Sequence, residues 1–139
     1  SRSGRVEPGN EMKKILLVDD NTDYLRLLKE AFSASGYDVH TAEDGMEGCK
    51  TLTLPDIDLI ISDIRMPRLD GIKLHSFARK THRYKTVKFI FLSAFKDEYA
   101  SIPGMNSEID YFLDKTTPID AILRMVDQLL FGTFAGKWL

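Results

Sequence analysis

Several short apolar runs of this sequence end in polar side chains that could together carry out phosphoryl chemistry. Carboxylates follow the first and third runs, a hydroxyl ends the fourth, and an ammonium group lies just after the fifth. These side chains are Asp19, Asp20, Asp63, Ser93 and Lys115. Carboxylates that lie close together repel each other and raise one another's pKa. A hard divalent cation such as Mg²⁺, which prefers oxygen ligands, relieves that repulsion, so the pattern indicates a Mg²⁺ site.

Among these groups, Asp63 is the best candidate for a nucleophile, because it ends what we expect to be a central strand. Attack of a carboxylate on phosphorus gives an aspartyl phosphate. The transition state of that reaction spreads negative charge over three equatorial oxygens. Mg²⁺, the Lys115 ammonium and the Ser93 hydroxyl would each neutralise or hydrogen-bond part of this charge.

The apolar runs themselves predict a parallel sheet. They lack polar alternation, which is typical of strands covered on both faces. The predicted strands cover residues 15–18, 39–42, 59–61, 89–92 and 111–113. In open parallel sheets, ligands bind beyond the carboxyl ends of the strands, which is where the candidate side chains fall.

Amphipathic stretches with helix start signals separate the strands. The first spans 24–35 and stops at Gly36, the second runs from a capping box to about residue 53, and the third ends at residue 80. The predicted N-caps of the later helices are Asp44, Asp70 and Thr117, with Pro118 at the first helical position after Thr117. Alternating strands and helices indicate one α/β domain, a doubly wound five-stranded parallel sheet with right-handed crossovers.

Composition bounds the possible classes of protein. The 139 residues suffice for one domain, which we expect over 12–131, with 1–11 as a tag or linker and 132–139 as an extension or linker. With 43% apolar residues, 29% charged residues and a net charge of −2, neither nucleic acid nor an anionic membrane is expected as the partner. Cys49 is the single cysteine, which excludes an internal disulfide and a multi-cysteine metal site.

Four segments of the sequence resemble the receiver domain of response regulators, the phosphoacceptor module of two-component signalling and phosphorelays. They are ILLVDD at 15–20, DIRMPRLDG at 63–71, FLSA at 91–94 and DYFLDK at 110–115. The resemblance implies a flavodoxin-like sheet with strand order 2-1-3-4-5. It also implies a signalling phosphoacceptor rather than a turnover enzyme, in a bacterial-type signalling context. The sequence shows no export signal, so we expect a cytoplasmic setting.

The resemblance assigns a metal site as well. Asp20, the Asp63 side chain and the backbone carbonyl of Arg65 would bind Mg²⁺, and Asp19 would complete the pocket through water. Asp63 would accept a phosphoryl group from a phosphohistidine on a sensor histidine kinase or a histidine phosphotransfer protein. The phosphorylated domain would then bind an output domain or a target protein.

The remaining roles implied by the resemblance concern the phosphoryl group and the switch. Ser93 and Lys115 would hold the phosphoryl oxygens. Phe112 occupies the aromatic switch position, where the ring turns inward as the Ser93 hydroxyl moves. Arg65 and Phe95 would flank the path of a hydrolytic water, so we expect slow loss of the phosphoryl group.

Two features depart from the family pattern. Thr116 and Thr117 follow Lys115, where the family usually has proline, so a cis peptide bond is not expected at that position. Pro103–Gly104 interrupts the segment that should form the fourth of five helices, because proline removes a backbone donor. The docking surface built on that helix is therefore expected to be unusual.

Other interpretations of the same residues remain open at this level. Taken singly, Asp19 and Asp20 could cap a helix, Asp63 and Ser93 could be turn residues, and Lys115 could be a solvated charge. One alternative function is a pseudo-receiver that docks partners without being phosphorylated. Another is a phosphohydrolase of the haloacid-dehalogenase type, whose nucleophile would be Asp19. Its Asp-x-Asp spacing is missing here, and the chain has little room for a substrate-enclosing cap.

Overall fold

The computed structural model describes residues 12–54, 56–94, 102 and 104–132, which form a five-stranded sheet flanked by helices. The strands are β1 (Lys14–Val18), β2 (Asp38–Ala42), β3 (Ile57–Asp63), β4 (Lys88–Ser93) and β5 (Asp110–Asp114). The helices are α1 (Thr22–Ala34), α2 (Gly45–Thr51), α3 (Gly71–Lys80) and α4 (Ile119–Phe131), with a 3₁₀ turn at His82–Tyr84. All five predicted strands are confirmed, each with a wider span.

The sheet is parallel and has the order β2-β1-β3-β4-β5, which confirms the predicted fold class. Neighbouring strands end at similar levels, since Val18 pairs with Ser62 and Ser93 pairs with Asp114. The chain segments that follow β1, β3, β4 and β5 therefore leave the sheet at one edge.

Apolar side chains fill both faces of the sheet. On one face, alternate strand residues such as Ile15 and Ile61 pack with α1 and α4. On the other face, Leu16 and Phe91 pack with α2 and α3. Burial on both faces explains why the strands read as continuous apolar runs.

Side-chain caps fix where three of the helices begin. The Asp44 carboxylate accepts from the Glu47 amide at 3.0 Å, and the Asp70 carboxylate accepts from the Lys73 amide at 2.9 Å, as predicted. The Asn21 side chain caps α1, so this helix begins two residues before the predicted Tyr24.

The predicted start of α4 was wrong. Pro118 is the N-cap itself, with an extended ψ of 145°, and the first helical residue is Ile119. Thr117, the expected N-cap, lies one residue before it, and its amide closes a turn onto the Asp114 carbonyl at 2.9 Å. Once begun, α4 buries Ile122, Leu123 and Val126 in the core, as its helical spacing predicted.

A turn precedes β5 and is held by a buried polar cluster. The Asp110 carboxylate contacts His75 Nε2 at 3.0 Å and Arg79 Nη2 at 2.6 Å, and it accepts from the Asn106 amide at 2.9 Å. Among residues 102 and 104–109, none is helical, and Gly104 has a φ of +75°. Pro103, where a break in a helix was predicted, lies outside the described residues.

Two sequence expectations about the backbone can be compared directly with the described residues. Every peptide bond there is trans, including the one after Lys115. Within the same ranges, no helix has the length and apolar character needed to cross a membrane.

Candidate phosphoryl-transfer site

Three carboxylates meet where β1 and β3 end. One ligand oxygen each of Asp19, Asp20 and Asp63 can be chosen so that all lie within 4.8 Å of one another. Asp19 and Asp63 are 1% and 8% exposed, whereas Asp20 is exposed to solvent. Their proximity follows from the pairing of β1 with β3, which places the two strand ends side by side.

Lys115 extends into this carboxylate cluster. Its Nζ lies 2.9 Å from Asp19 Oδ2 and 3.1 Å from Asp63 Oδ2. The Lys115 amide donates to the Ser93 carbonyl at 2.9 Å, which ties the residue to the end of β4. The Asp114 carboxylate accepts from both the amide and the hydroxyl of Thr116 at 3.0 Å. An Asx turn therefore shapes the backbone after Lys115, at the position where the family usually has proline.

Burial and ion pairing have opposite effects on the pKa values of Asp63 and Lys115. Burial, and after it the charge of Asp19, raises the pKa of Asp63, and Lys115 opposes that shift. Burial disfavours the charged Lys115, but its hydrogen bond and attraction to Asp19, followed by those to Asp63, outweigh burial and raise its pKa. The site therefore pairs one ammonium with two buried carboxylates and has carboxylate charge left over for a cation.

The loop after Asp63 is packed closely against α3. The Gly71 amide donates to the Ile64 carbonyl at 2.8 Å, and a Cβ on Gly71 would lie 2.1 Å from the Asp63 carbonyl oxygen. Farther along the loop, Arg68 forms an ion pair with the buried Asp44, which also caps α2. The backbone of the candidate nucleophile is thus fixed by a helix that begins eight residues later.

The other predicted site residues lie around the cluster. Ser93 ends β4, is 1% exposed, and follows Leu92, the residue paired with Asp63. Arg65 lies in the β3–α3 loop with its side chain exposed. Phe112 is half-buried in β5, and its ring stacks on Phe91 with centroids 5.1 Å apart. Phe95 lies outside the described residues.

Sequence reasoning missed Tyr24 as part of this site. Lys115 Nζ lies over the Tyr24 ring, 5.3 Å from its centroid. Burial, and after it the charge of Asp19, raises the pKa of Tyr24. Only its position in the first turns of α1, just after the acidic pair, could have drawn attention to it.

Comparison with known proteins decides the family. The sequence profile of the response regulator receiver domain matches residues 15–127. The chain belongs to this family. Membership decides against the phosphohydrolase alternative, in which Asp19 rather than Asp63 would be the nucleophile. It agrees with the strand order and with the four segments that carried the resemblance.

Individual receiver domains and regulators are similar over most of the chain. The transcriptional regulatory protein GlrR of Escherichia coli is 34% identical over 84% of this chain and 26% of its own length. The alkaline phosphatase synthesis transcriptional regulatory protein PhoP of Bacillus subtilis is 35% identical over 74% of this chain and 42% of its own length. The chain thus spans less than half the length of either regulator.

Solved structures show the same architecture. The response regulator TrrA of Thermotoga maritima, in complex with Mg²⁺ and BeF, is 34% identical, with a TM-score of 0.75 over 86% of this chain and 100% of that one. A CheY-like receiver domain protein of Methanospirillum hungatei is 26% identical, with a TM-score of 0.78 over 87% and 95% of the two chains.

Proposed function

We propose that this receiver domain is an active phosphoacceptor, in which Asp63 takes a phosphoryl group from a phosphohistidine of a partner protein. The observation that carries the proposal is the position of Lys115 Nζ, 2.9 Å from Asp19 and 3.1 Å from Asp63. A lone surface lysine is solvated, whereas the Lys115 ammonium bridges two buried carboxylates. Held there, the ammonium is in place to contact a phosphoryl group on Asp63.

The carboxylate cluster fits Mg²⁺. Its donors are hard oxygens, three of them lie within 4.8 Å, and the exposed Asp20 leaves a side open to solvent for the waters that Mg²⁺ retains. Asp19 has both oxygens engaged, Oδ1 by the Asn21 amide at 2.8 Å and Oδ2 by Lys115. We therefore assign Asp20, Asp63 and the Arg65 carbonyl as direct ligands, with Asp19 acting through water. When bound, Mg²⁺ would neutralise phosphoryl oxygens and carboxylate charge.

The residues of the chain divide the transfer step between them. An Asp63 carboxylate oxygen forms a bond to phosphorus as the bond from phosphorus to the donor imidazole nitrogen breaks, and that nitrogen keeps the electron pair. Lys115 favours the ionised Asp63 that attack requires, against the burial that raises its pKa. The Lys115 ammonium and the Ser93 hydroxyl then stabilise charge on the transferred oxygens.

The consequence of phosphorylation is proposed to reach the surface through β4 and β5. Ser93 and Phe112 are on these neighbouring strands, and Phe112 stacks on Phe91 of β4. We assign Phe112 as the aromatic switch that follows the Ser93 hydroxyl. The phosphodonor would be a sensor histidine kinase or a histidine phosphotransfer protein in the cytoplasm. The names of GlrR and PhoP favour a transcriptional output, contributed by another domain or protein.

Phosphorylation of the purified chain tests the proposal. Incubation with acetyl phosphate and Mg²⁺ should add one phosphoryl group, detected by intact mass, and Asp63→Asn should abolish the addition. Asp58→Asn is a matched control on the same strand, because Asp58 lies toward the far end of β3 and accepts from the Lys14 amide. No addition to a folded wild-type chain would support the docking pseudo-receiver instead.

A further inference from the structure

The contact between Lys115 and Tyr24 joins the carboxylate cluster to α1. Lys115 Nζ has Asp19 and Asp63 at hydrogen-bond distance and the Tyr24 ring centroid at 5.3 Å. The lysine side chain is only 21% exposed. An ammonium within about 6 Å of an aromatic face is attracted by the ring quadrupole.

The position of this ammonium is not fixed by its own side chain. Lysine has a flexible four-carbon stem and presents a compact point charge. The backbone of Lys115 is held by the Ser93 carbonyl, but that bond leaves the side-chain rotamers free. A bound cation weakens the attraction of Asp19 and Asp63 for the ammonium, and phosphorylation of Asp63 moves the negative charge from its carboxylate to the phosphoryl oxygens. The Tyr24 ring is a contact that such ligands do not compete for.

We propose that Tyr24 is a positioning residue for Lys115, whose ring face holds the ammonium at the place where a phosphoryl oxygen on Asp63 would meet it. This role rests on the proposed function, because it matters only if Asp63 carries a phosphoryl group. The aromatic ring provides this positioning contact, and the hydroxyl group is not needed for it.

The Tyr24 hydroxyl supports that distinction. It is buried, and it has no hydrogen-bond partner in the structure as described. A buried hydroxyl without a partner costs free energy, and its removal is neutral or stabilising. The ring, in contrast, packs against the core between the sheet, α1 and α4. Phenylalanine should therefore replace Tyr24 in this role, and an aliphatic residue should not.

Beryllofluoride, a phosphoryl mimic, allows the ring to be tested in the full chain with Mg²⁺. Titration calorimetry should give Tyr24→Phe a dissociation constant within about twofold of wild type, whereas Tyr24→Leu should bind about 2- to 30-fold more weakly, the range expected for a cation and ring contact. A series of Tyr24→Phe proteins with successive ring fluorines keeps the shape and weakens the quadrupole. Affinity should fall steadily along that series.

Tyr111→Leu is the matched control, because Tyr111 packs against the same core and its hydroxyl donates to the Glu108 carbonyl, away from Lys115. It should lose stability in urea unfolding and keep beryllofluoride affinity. Equal affinities along the fluorine series, or equal effects of Tyr24→Leu and Tyr111→Leu, would overturn the role of Tyr24. Failure of the wild type to bind beryllofluoride would overturn the proposed function and, with it, this inference.

Discussion

Replacing Gly71 with alanine tests whether the acceptor loop depends on the close approach of α3. Gly71 is the first residue of α3, and its backbone touches the residue that would be phosphorylated. An added Cβ would lie 2.1 Å from the Asp63 carbonyl oxygen and 3.1 Å from the Ile64 Cα. Both contacts are backbone atoms, so no side-chain rotation can relieve them. We expect Gly71→Ala to lower both the free energy of unfolding and the phosphorylation of Asp63.

The magnitude follows from the distance. To reach ordinary contact, the helix and the loop must separate by about 1 Å, which also breaks the 2.8 Å bond from the Gly71 amide to the Ile64 carbonyl. A lost buried hydrogen bond costs about 1–3 kcal/mol, and forced overpacking costs a similar amount. The expected loss is about 2–6 kcal/mol, a large part of the total stability of a small domain. A displacement of 1 Å can also cost about 100-fold in reactivity.

Urea unfolding and acetyl phosphate labelling measure the two effects. Gly48→Ala serves as the control, since its Cβ would meet the ends of the Leu74 side chain at 3.1 Å and helix propensity gains about 1 kcal/mol. It should change stability by no more than about 1 kcal/mol and label normally. A Gly71→Ala protein as stable as wild type, with normal labelling, would refute the argument that this approach fixes Asp63.

Two further predictions concern pH, and both use urea unfolding in Mg²⁺-free buffer. Burial and the charge of Asp19 raise the pKa of Asp63, so wild-type stability should fall as pH rises from the ordinary carboxyl value through the raised one. Asp63→Asn should lack this fall and be more stable at neutral pH; equal pH slopes would contradict the assignment. Burial lowers the pKa of His75, although Asp110 opposes the shift. The stability that His75 contributes should therefore be present above its ordinary pKa of 6.5 and be lost as pH falls through the lowered pKa. His75→Gln should remove that acid-side loss, whereas the exposed His82→Gln should retain it; the same slope in both variants would exclude His75 as the cause.

Much of the site could be predicted because its residues lie at the ends of strands or immediately after them. A strand that is buried on both faces leaves a continuous apolar run, and the residue after the run must emerge at an edge of the sheet. Asp19 directly follows β1, and Asp63 and Ser93 are the last residues of β3 and β4. Lys115 lies one residue beyond the end of β5. The positions of the apolar runs in the sequence thus predict which side chains meet at this edge of the sheet.

Contacts between elements far apart in sequence could not be predicted in the same way. Tyr24 was interpreted only as the start of a helix, because its contact with Lys115 depends on how α1 lies over the end of β5. The spacing of His75 from the other histidines does not indicate a metal site. In the structure its ring contacts the carboxylate of Asp110, a buried residue 35 positions later in the sequence. The start of α4 was misplaced for a different, local reason, since the turn from Thr117 onto Asp114 shifts the N-cap by one residue to Pro118.

The register of β5 connects the buried cluster at one end of the sheet with the site at the other. A slip of β5 by one residue would move each of its side chains to the other face of the sheet. Tyr111 and Leu113 pack on one face and Phe112 on the other, so apolar side chains would still meet a core after such a slip. Asp110 is different, since only one register brings its carboxylate to His75 and Arg79. A slip by one residue would also move the backbone of Lys115 by about 3.3 Å along the strand, away from its hydrogen bond to the Ser93 carbonyl. The charged contacts that begin β5 therefore set the position of the lysine that follows its end.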